Sequence, residues 1–170
     1  LGNFLKQCNA KQMPLVIDAD ALNCIAARPI LLNYLPVMSV LTPHEGEFDR
    51  LFGEQSSSEA RLRKAIEVSA FYNVVILLKG RYTAVVRPDG KVHINSSGSP
   101  ALATGGSGDV LTGIITGLMA QSYSSEMATI LGAYIHGVAG EICADEHGTF
   151  GTTAEDIAQN VGKAIKSIVE

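Results

Sequence analysis

Cysteine is scarce: Cys8, Cys24 and Cys143 are odd in number and far apart in a chain of 170 residues. That spacing argues against a disulfide framework and a zinc-ligand set, and it suits a reducing compartment. No apolar run in the sequence approaches a membrane span and no secretory leader is visible, so the expected setting is the cytoplasm. Positive charge is also short, with 13 basic against 17 acidic side chains and a net charge of −4. Such a balance argues against a nucleic-acid or anionic-membrane surface, and an anionic ligand must then be held by local devices. The Gly-Lys-Ser/Thr of a Walker loop is absent, and Leu111 stands where the dinucleotide fingerprint wants a glycine. Repeats, low-complexity tracts and interdomain linkers are missing as well. With 46% hydrophobic and 18% charged residues, the remainder reads as one globular domain that buries a real core.

The most informative stretch that is present runs from Ala103 to Gly113, a glycine-rich turn leading straight into a helix. Val110, Leu111, Ile114, Ile115, Leu118 and Met119 recur at helical spacing, so one face is expected to be buried. Gly105, Gly106 and Gly108 let backbone N–H groups approach a ligand at the positive end of that helix, where phosphate is stabilised. Asp109 in the first turn is an ordinary helix-start residue. Beside a phosphate it would repel the ligand unless it served as a general base toward a hydroxyl held there.

Upstream, Leu15–Ile17 is a short strand ending in Asp18-Ala-Asp-Ala-Leu-Asn23, where Asp18 and Asp20 have a plain reading as caps or turn residues. Val37–Leu41 is a second strand, followed by Thr42-Pro-His-Glu-Gly-Glu47. Thr42, Pro43 and Glu45 fit a capping box, which leaves His44 and Glu47 unexplained. A helix capped by Ser56–Ser58 runs to Tyr72, with Leu62, Ile66 and Ala70 inward and Arg61, Arg63 and Lys64 on a solvated face. Val74–Leu78 is the central strand, apolar on both faces, and it delivers Lys79–Thr83 to a loop. A hairpin turns at Pro88-Asp89-Gly90. Met127, Ile130, Leu131, Tyr134, Ile135, Val138 and Ile142 trace a long amphipathic helix whose His136 reads as packed or surface. Thr152 with Glu155 suggests a capping box for the last helix. Alternating strands and helices give an α/β layered fold, a mainly parallel sheet flanked by helices with a small β-hairpin. Four ligand-capable loops then follow strands and line one sheet edge: Asp18–Asn23, Thr42–Glu47, Lys79–Thr83 and Thr104–Asp109.

Asp18–Asn23, Leu41–Phe48, Leu78–Thr83 and Thr104–Gly113 resemble, in that order, four motifs of the ADP/ATP-dependent (S)-NAD(P)H-hydrate dehydratases, a ribokinase-like family. The resemblance implies a repair enzyme that spends ADP or ATP, with Mg²⁺, to dehydrate the S epimer of hydrated NADH or NADPH. The added hydroxyl is phosphorylated and phosphate then leaves. It implies Asp109 as base, the N–H groups of Gly105, Gly106 and Gly108 as anion hole, and His44 and Asn23 on the substrate, with Asp18 near the phosphates. Lys79, Gly80, Arg81, Tyr82, Thr83 and Gly108 match nucleotide-lining positions. The Thr42–Glu47 loop echoes the superfamily's Asn-x-x-Glu pattern, with His44 for Asn, and makes Glu47 a water-mediated Mg²⁺ organiser. The family's Gly-Pro-Gly-Leu-Gly segment is not in this sequence, so residues 1–170 are expected to be one catalytic domain without its amino-terminal part, which becomes a partner. Homo-oligomers are common among relatives, and Gly113, Gly117, Gly132, Gly137 and Gly140 permit close helix packing. Two competing readings are a ribokinase-like kinase for a vitamin-precursor alcohol and a non-catalytic nucleotide-binding fragment.

Overall fold

Three strands stand in one register. Val16 pairs with Val40 and Val40 with Val75, while Ile17, Leu41 and Ile76 form the next row, all in parallel. In a computed structural model that describes all 170 residues, these belong to β1 (Val16–Ile17), β2 (Val40–Leu41) and β3 (Val75–Leu78). Beyond β3 the hairpin strands β4 (Ala84–Val86) and β5 (Val92–Ile94) run antiparallel, giving an open mixed sheet in the order β1-β2-β3-β4-β5. The two-residue side-chain period sorts the rows onto opposite faces. Ile17, Leu41, Ile76 and Val86 pack toward α2 (Ala19–Ala26), α3 (Glu45–Phe52) and α4 (Ser58–Tyr72), with Leu22, Ile25 and Phe48 in the same cluster. Val40, Val75, Leu77 and Val85 pack toward Leu111 and Ile115 of α5 (Ser107–Ala120) and Ala128 and Ala133 of α6 (Ser125–His147). Helix α7 (Ala154–Val169) lies outside that layer, against α5 and α6.

The layered α/β arrangement is the one expected, and several local expectations need correcting. The chain opens with helix α1 (Gly2–Ala10), packed on a 3₁₀ segment at Pro29–Tyr34, before the first strand. Val37 and Met38 form a turn rather than strand, Met38 having φ +61°, so β2 is only Val40–Leu41. Thr42 does not cap α3, because its hydroxyl donates to the Ile17 carbonyl at 3.3 Å. The cap lies two residues later, at His44 with Glu47, and that of α7 one residue later, at Thr153 with Asp156. Leu62 and Ile66 of α4 pack partly buried against the core as expected, the fully buried positions are Arg61, Ala65, Val68 and Ser69, and Ala70 is exposed. Arg61 is no solvated charge: its guanidinium binds Asp49 through Nε at 2.9 Å and Nη2 at 2.8 Å, and its Nη1 lies 3.4 Å from Glu45. The fork geometry satisfies a buried cation that periodicity alone would leave outside, and it holds the Asp49 carboxyl below the usual carboxylate range.

Helix α6 is long and apolar enough to cross a membrane by length and composition. Here it is a core helix that buries Ile135, as expected, and His136 among mostly small residues. Met127 and Tyr134, expected inward, are exposed, while Ala128, Gly132, Gly137 and Gly140 are where neighbours approach. A Cβ on Gly132 would lie 2.6 Å from Ile115 Cγ1, and one on Gly137 would lie 2.8 Å from the Ser97 carbonyl carbon. A Cβ on Gly140 would meet the Leu102 side chain. Gly113 and Gly117 have nothing within 4 Å and do not mediate packing within the chain.

Gly137→Ala must displace backbone at Ser97, so it is expected to lower unfolding stability by about 1–3 kcal/mol. Gly117→Ala adds a methyl to an open helical position and should instead raise it by about 0.5–1 kcal/mol. Urea denaturation of both variants checks the pair, and equal effects would contradict the packing assigned to α6.

Candidate functional site

The shared register ends β1, β2 and β3 at the same sheet edge, and the residues that follow meet there. Pairing continues one step past the strands, as Lys79 N–H donates to the Pro43 carbonyl at 2.9 Å and His44 bridges Lys79. Asp18 follows β1 directly. It stands at the cap position of α2, but no N–H of that helix reaches its side chain. Its Oδ1 accepts from Lys79 Nζ at 2.8 Å and its Oδ2 from Thr112 Oγ1 of α5 at 3.2 Å. Ala19, the next residue, has φ +48°, a left-handed conformation that costs a residue with a Cβ about 1–2 kcal/mol. The turn carries that strain where Asp18 points across the sheet edge. Lys79 Nζ also lies 3.8 Å from Glu47 Oε2, so one ammonium faces two carboxylates that are almost buried.

The fourth segment arrives differently from the expectation. Thr104–Asp109 follows a 3₁₀ segment at Pro100–Ala103, not a strand, yet it reaches the same edge. Gly106 has φ +86°, which opens the turn into α5. A Cβ on Gly108 would sit 3.5 Å from both Asp18 Oδ2 and Lys79 Nζ, so the start of α5 lies against the ion pair. The N–H groups of Gly105, Gly106 and Gly108 donate to no acceptor within the chain, whereas the intervening Ser107 N–H donates to the Thr104 carbonyl at 3.3 Å. Asp109 is exposed and its carboxylate is bonded to nothing else in the protein. Three free donors at the positive end of a 14-residue helix, beside a lysine, form a place for a phosphate-like anion.

His44 caps α3. Its Nδ1 accepts from Gly46 N–H at 3.1 Å and from Glu47 N–H at 3.3 Å, while the Glu47 carboxylate accepts from His44 N–H at 2.9 Å. Because Nδ1 accepts, the hydrogen sits on Nε2, on a half-exposed ring edge 3.5 Å from Glu47 Oε1. Asn23 lies on α2 with its Oδ1 accepting from Arg50 of α3, and it shares no hydrogen bond with Asp18, Lys79 or Thr112. Lys79, Gly80, Arg81 and Tyr82 line a cavity of about 330 Å³ closed by Glu45, Arg61, Leu62 and Ile94. Thr83 is not part of that lining, and its hydroxyl donates to the Gly80 carbonyl at 3.3 Å. A larger cavity, about 390 Å³, runs between α3, α4 and the 3₁₀ segment at Pro29–Tyr34 and is lined by none of the candidate site residues. Two further contacts carried no sequence signal. Thr112 reaches Asp18 across 94 residues, and His136 of α6 is buried against Ser107, with Nε2 3.0 Å from both its hydroxyl and its carbonyl oxygen. Burial, with the Lys79 cation adding to it, pushes His136 down to about 4.

The family model for NAD(P)H-hydrate dehydratase matches residues 2–163. The bifunctional NAD(P)H-hydrate repair enzyme Nnr of Moorella thermoacetica is 42% identical over 161 residues, which are 94% of this chain and 30% of that protein. The ADP-dependent (S)-NAD(P)H-hydrate dehydratase of Neisseria meningitidis serogroup B is 38% identical over 153 residues, 85% of this chain and 51% of that protein. Among solved structures, the ADP/ATP-dependent NAD(P)H-hydrate dehydratase of Bacillus subtilis, co-crystallised with ATP and Mg²⁺, superposes with a TM-score of 0.79 at 32% identity. It covers 92% of this chain and 57% of that one. The chain thus spans between about a third and a half of the length of these curated relatives. Its fold is ribokinase-like.

Between pH 6.5 and about 4 the unfolded chain binds a proton that the folded His136 site refuses. Stability therefore falls as pH is lowered through that window, by up to about 3 kcal/mol, and is unaffected by this group above it. Urea titrations at pH 7.5 and pH 4.5 check this, and His136→Gln should remove most of the difference.

Proposed function

Because this chain belongs to the NAD(P)H-hydrate dehydratase family, we propose that it carries out the nucleotide-dependent dehydration of the S epimer of hydrated NADH or NADPH. The observation that carries this reading is the start of α5, where three unpaired N–H groups stand next to the free carboxylate of Asp109. In this reading Asp109 takes the proton of the added hydroxyl, whose oxygen attacks the terminal phosphorus of ADP or ATP. The bond from phosphorus to the leaving nucleotide oxygen breaks, and the Gly105, Gly106 and Gly108 N–H groups hold the charge of the phosphoryl in flight. Phosphate then leaves with the former hydroxyl oxygen, and the neighbouring ring carbon gives up its proton to solvent as the ring double bond forms. His44 presents Nε2–H to the hydrated nicotinamide, its other nitrogen being used by α3. The cavity at Lys79–Tyr82 takes the adenine nucleotide.

The side chains fit a water-shelled Mg²⁺ better than a caged one. No group of three His, Cys, Asp or Glu side chains could ligate it directly, and Glu47 already accepts from His44 and faces Lys79. An ion that keeps several waters and is held through phosphates, with Glu47 and Asp18 in its outer sphere, suits such a donor set. It would supply neutralisation of phosphate charge. The same reading takes residues 1–170 as one catalytic unit in the cytoplasm, working in a homo-oligomer and beside further chain, as the greater length of the relatives supports.

Chemically prepared NADH-hydrate, Mg²⁺ and either ADP or ATP are mixed with the protein, and absorbance of reduced nicotinamide is followed. A nucleotide-dependent rise is expected, slowed about a hundredfold or more by Asp109→Asn, the range for a lost general base. A flat trace from protein that binds nucleotide overturns the dehydratase reading.

A further inference from the structure

Ser107 is the one buried residue of the glycine turn, and the side chain it meets is His136. The His136 Nε2 lies 3.0 Å from both the Ser107 hydroxyl and the Ser107 carbonyl oxygen, and with the hydrogen on Nε2 it donates to the carbonyl, which only accepts. The Ser107 carbonyl and the Gly108 N–H belong to one peptide unit, which is planar and trans. In such a unit C=O and N–H point in opposite directions. Holding the oxygen against α6 therefore fixes the line along which the Gly108 N–H points, away from His136. That N–H has no acceptor within the chain, and Gly108 itself faces Asp18 and Lys79.

The constraint matters because a helix's first peptides are its loosest. Their N–H groups have no intrahelical partner, so nothing on the donor side fixes the peptide plane. A hydrogen bond received at the carbonyl oxygen also polarises the amide and strengthens its N–H as a donor. His136 is suited to this because it stays neutral through the physiological range and its ring is locked by burial on α6. The bare Nδ1 leaves it a single-direction donor toward Ser107.

We propose that His136 is a positioning residue of the phosphoryl-binding turn, aiming and polarising the Gly108 N–H through the Ser107–Gly108 peptide without touching the ligand. This rests on the reading of the turn as an anion hole and adds a residue from another helix to it.

Calorimetric binding of ADP and of adenosine separates the two ideas. Adenosine lacks phosphates, so its binding does not use the turn. His136→Phe is expected to weaken ADP about tenfold, the size of one lost hydrogen bond to a charged group, and to leave adenosine within about twofold. His136→Gln, whose amide N–H restores a donor, should recover most of the ADP affinity. If circular dichroism shows His136→Phe unfolded, His136→Met takes its place with the same expectation. Equal losses for both ligands, or none for ADP, overturn the proposal. An unsubstituted protein that binds adenosine no less tightly than ADP overturns the anion-hole reading itself, and the role of His136 falls with it.

Discussion

Everything at the candidate site hangs on the register that sets Val16, Val40 and Val75 side by side. Side chains alternate along a strand, so a slip of one residue would turn Ile17, Leu41 and Ile76 away from the Leu22–Phe48 layer and would also move every strand end. With the register fixed by burial on both faces, Asp18, His44 and Lys79 are delivered to one edge as a by-product of packing. The polar contacts made there are then inexpensive in entropy, because the backbone that bears them is already ordered for other reasons.

The arrangement is electrostatically coherent. Lys79 sits between Asp18 and Glu47, so the cation is held without a bound anion and stays close to the start of α5. A phosphate arriving there meets a lysine and three free N–H groups whose positions need little reorganisation. Asp18 links two of these parts, since one oxygen holds Lys79 and the other holds Thr112 of α5. The left-handed backbone at Ala19 is the local strain that accompanies this, where an unstrained turn and a capped α2 would have been the simpler outcome.

The sequence made the layers, the strand order of chemistry-bearing loops and the glycine turn legible, because each depends on local pattern. It misplaced features that depend on tertiary partners. Arg61 has the periodicity of a surface charge and becomes buried only because Asp49 and Glu45 come to it from α3. In α6 Ile135 is buried as expected and Ile130, Leu131, Val138 and Ile142 pack partly buried, but Met127 and Tyr134 are exposed, and α5 and the Ser97–Leu102 segment approach so closely that glycine stands at 132, 137 and 140. The contacts of Asp18 with Thr112, and of Ser107 with His136, span 94 and 29 residues and carry no short-range signature at all. Capping boxes were recognisable as a type and misregistered by one or two residues, since Thr42 found a better acceptor in Ile17 than the helix offered.

His44 and Glu47 show why a structural role does not displace a chemical one. The capping box accounts for both side chains in full, so on sequence grounds it looks like a rival to any ligand role. Geometry removes the rivalry. Capping uses the Nδ1 of His44 and its own backbone N–H, which leaves the opposite ring edge, bearing the Nε2 hydrogen, half-exposed and 3.5 Å from Glu47 Oε1. It also fixes the tautomer: a ring whose Nδ1 must accept from α3 can present only a donor at Nε2. The helix start thus prepares the histidine for an acceptor on a ligand, and Glu47 both closes the cap and keeps Lys79 facing the start of α5. A residue with two distinct polar ends can serve the fold with one and the site with the other. The local explanation is therefore part of how the site is built.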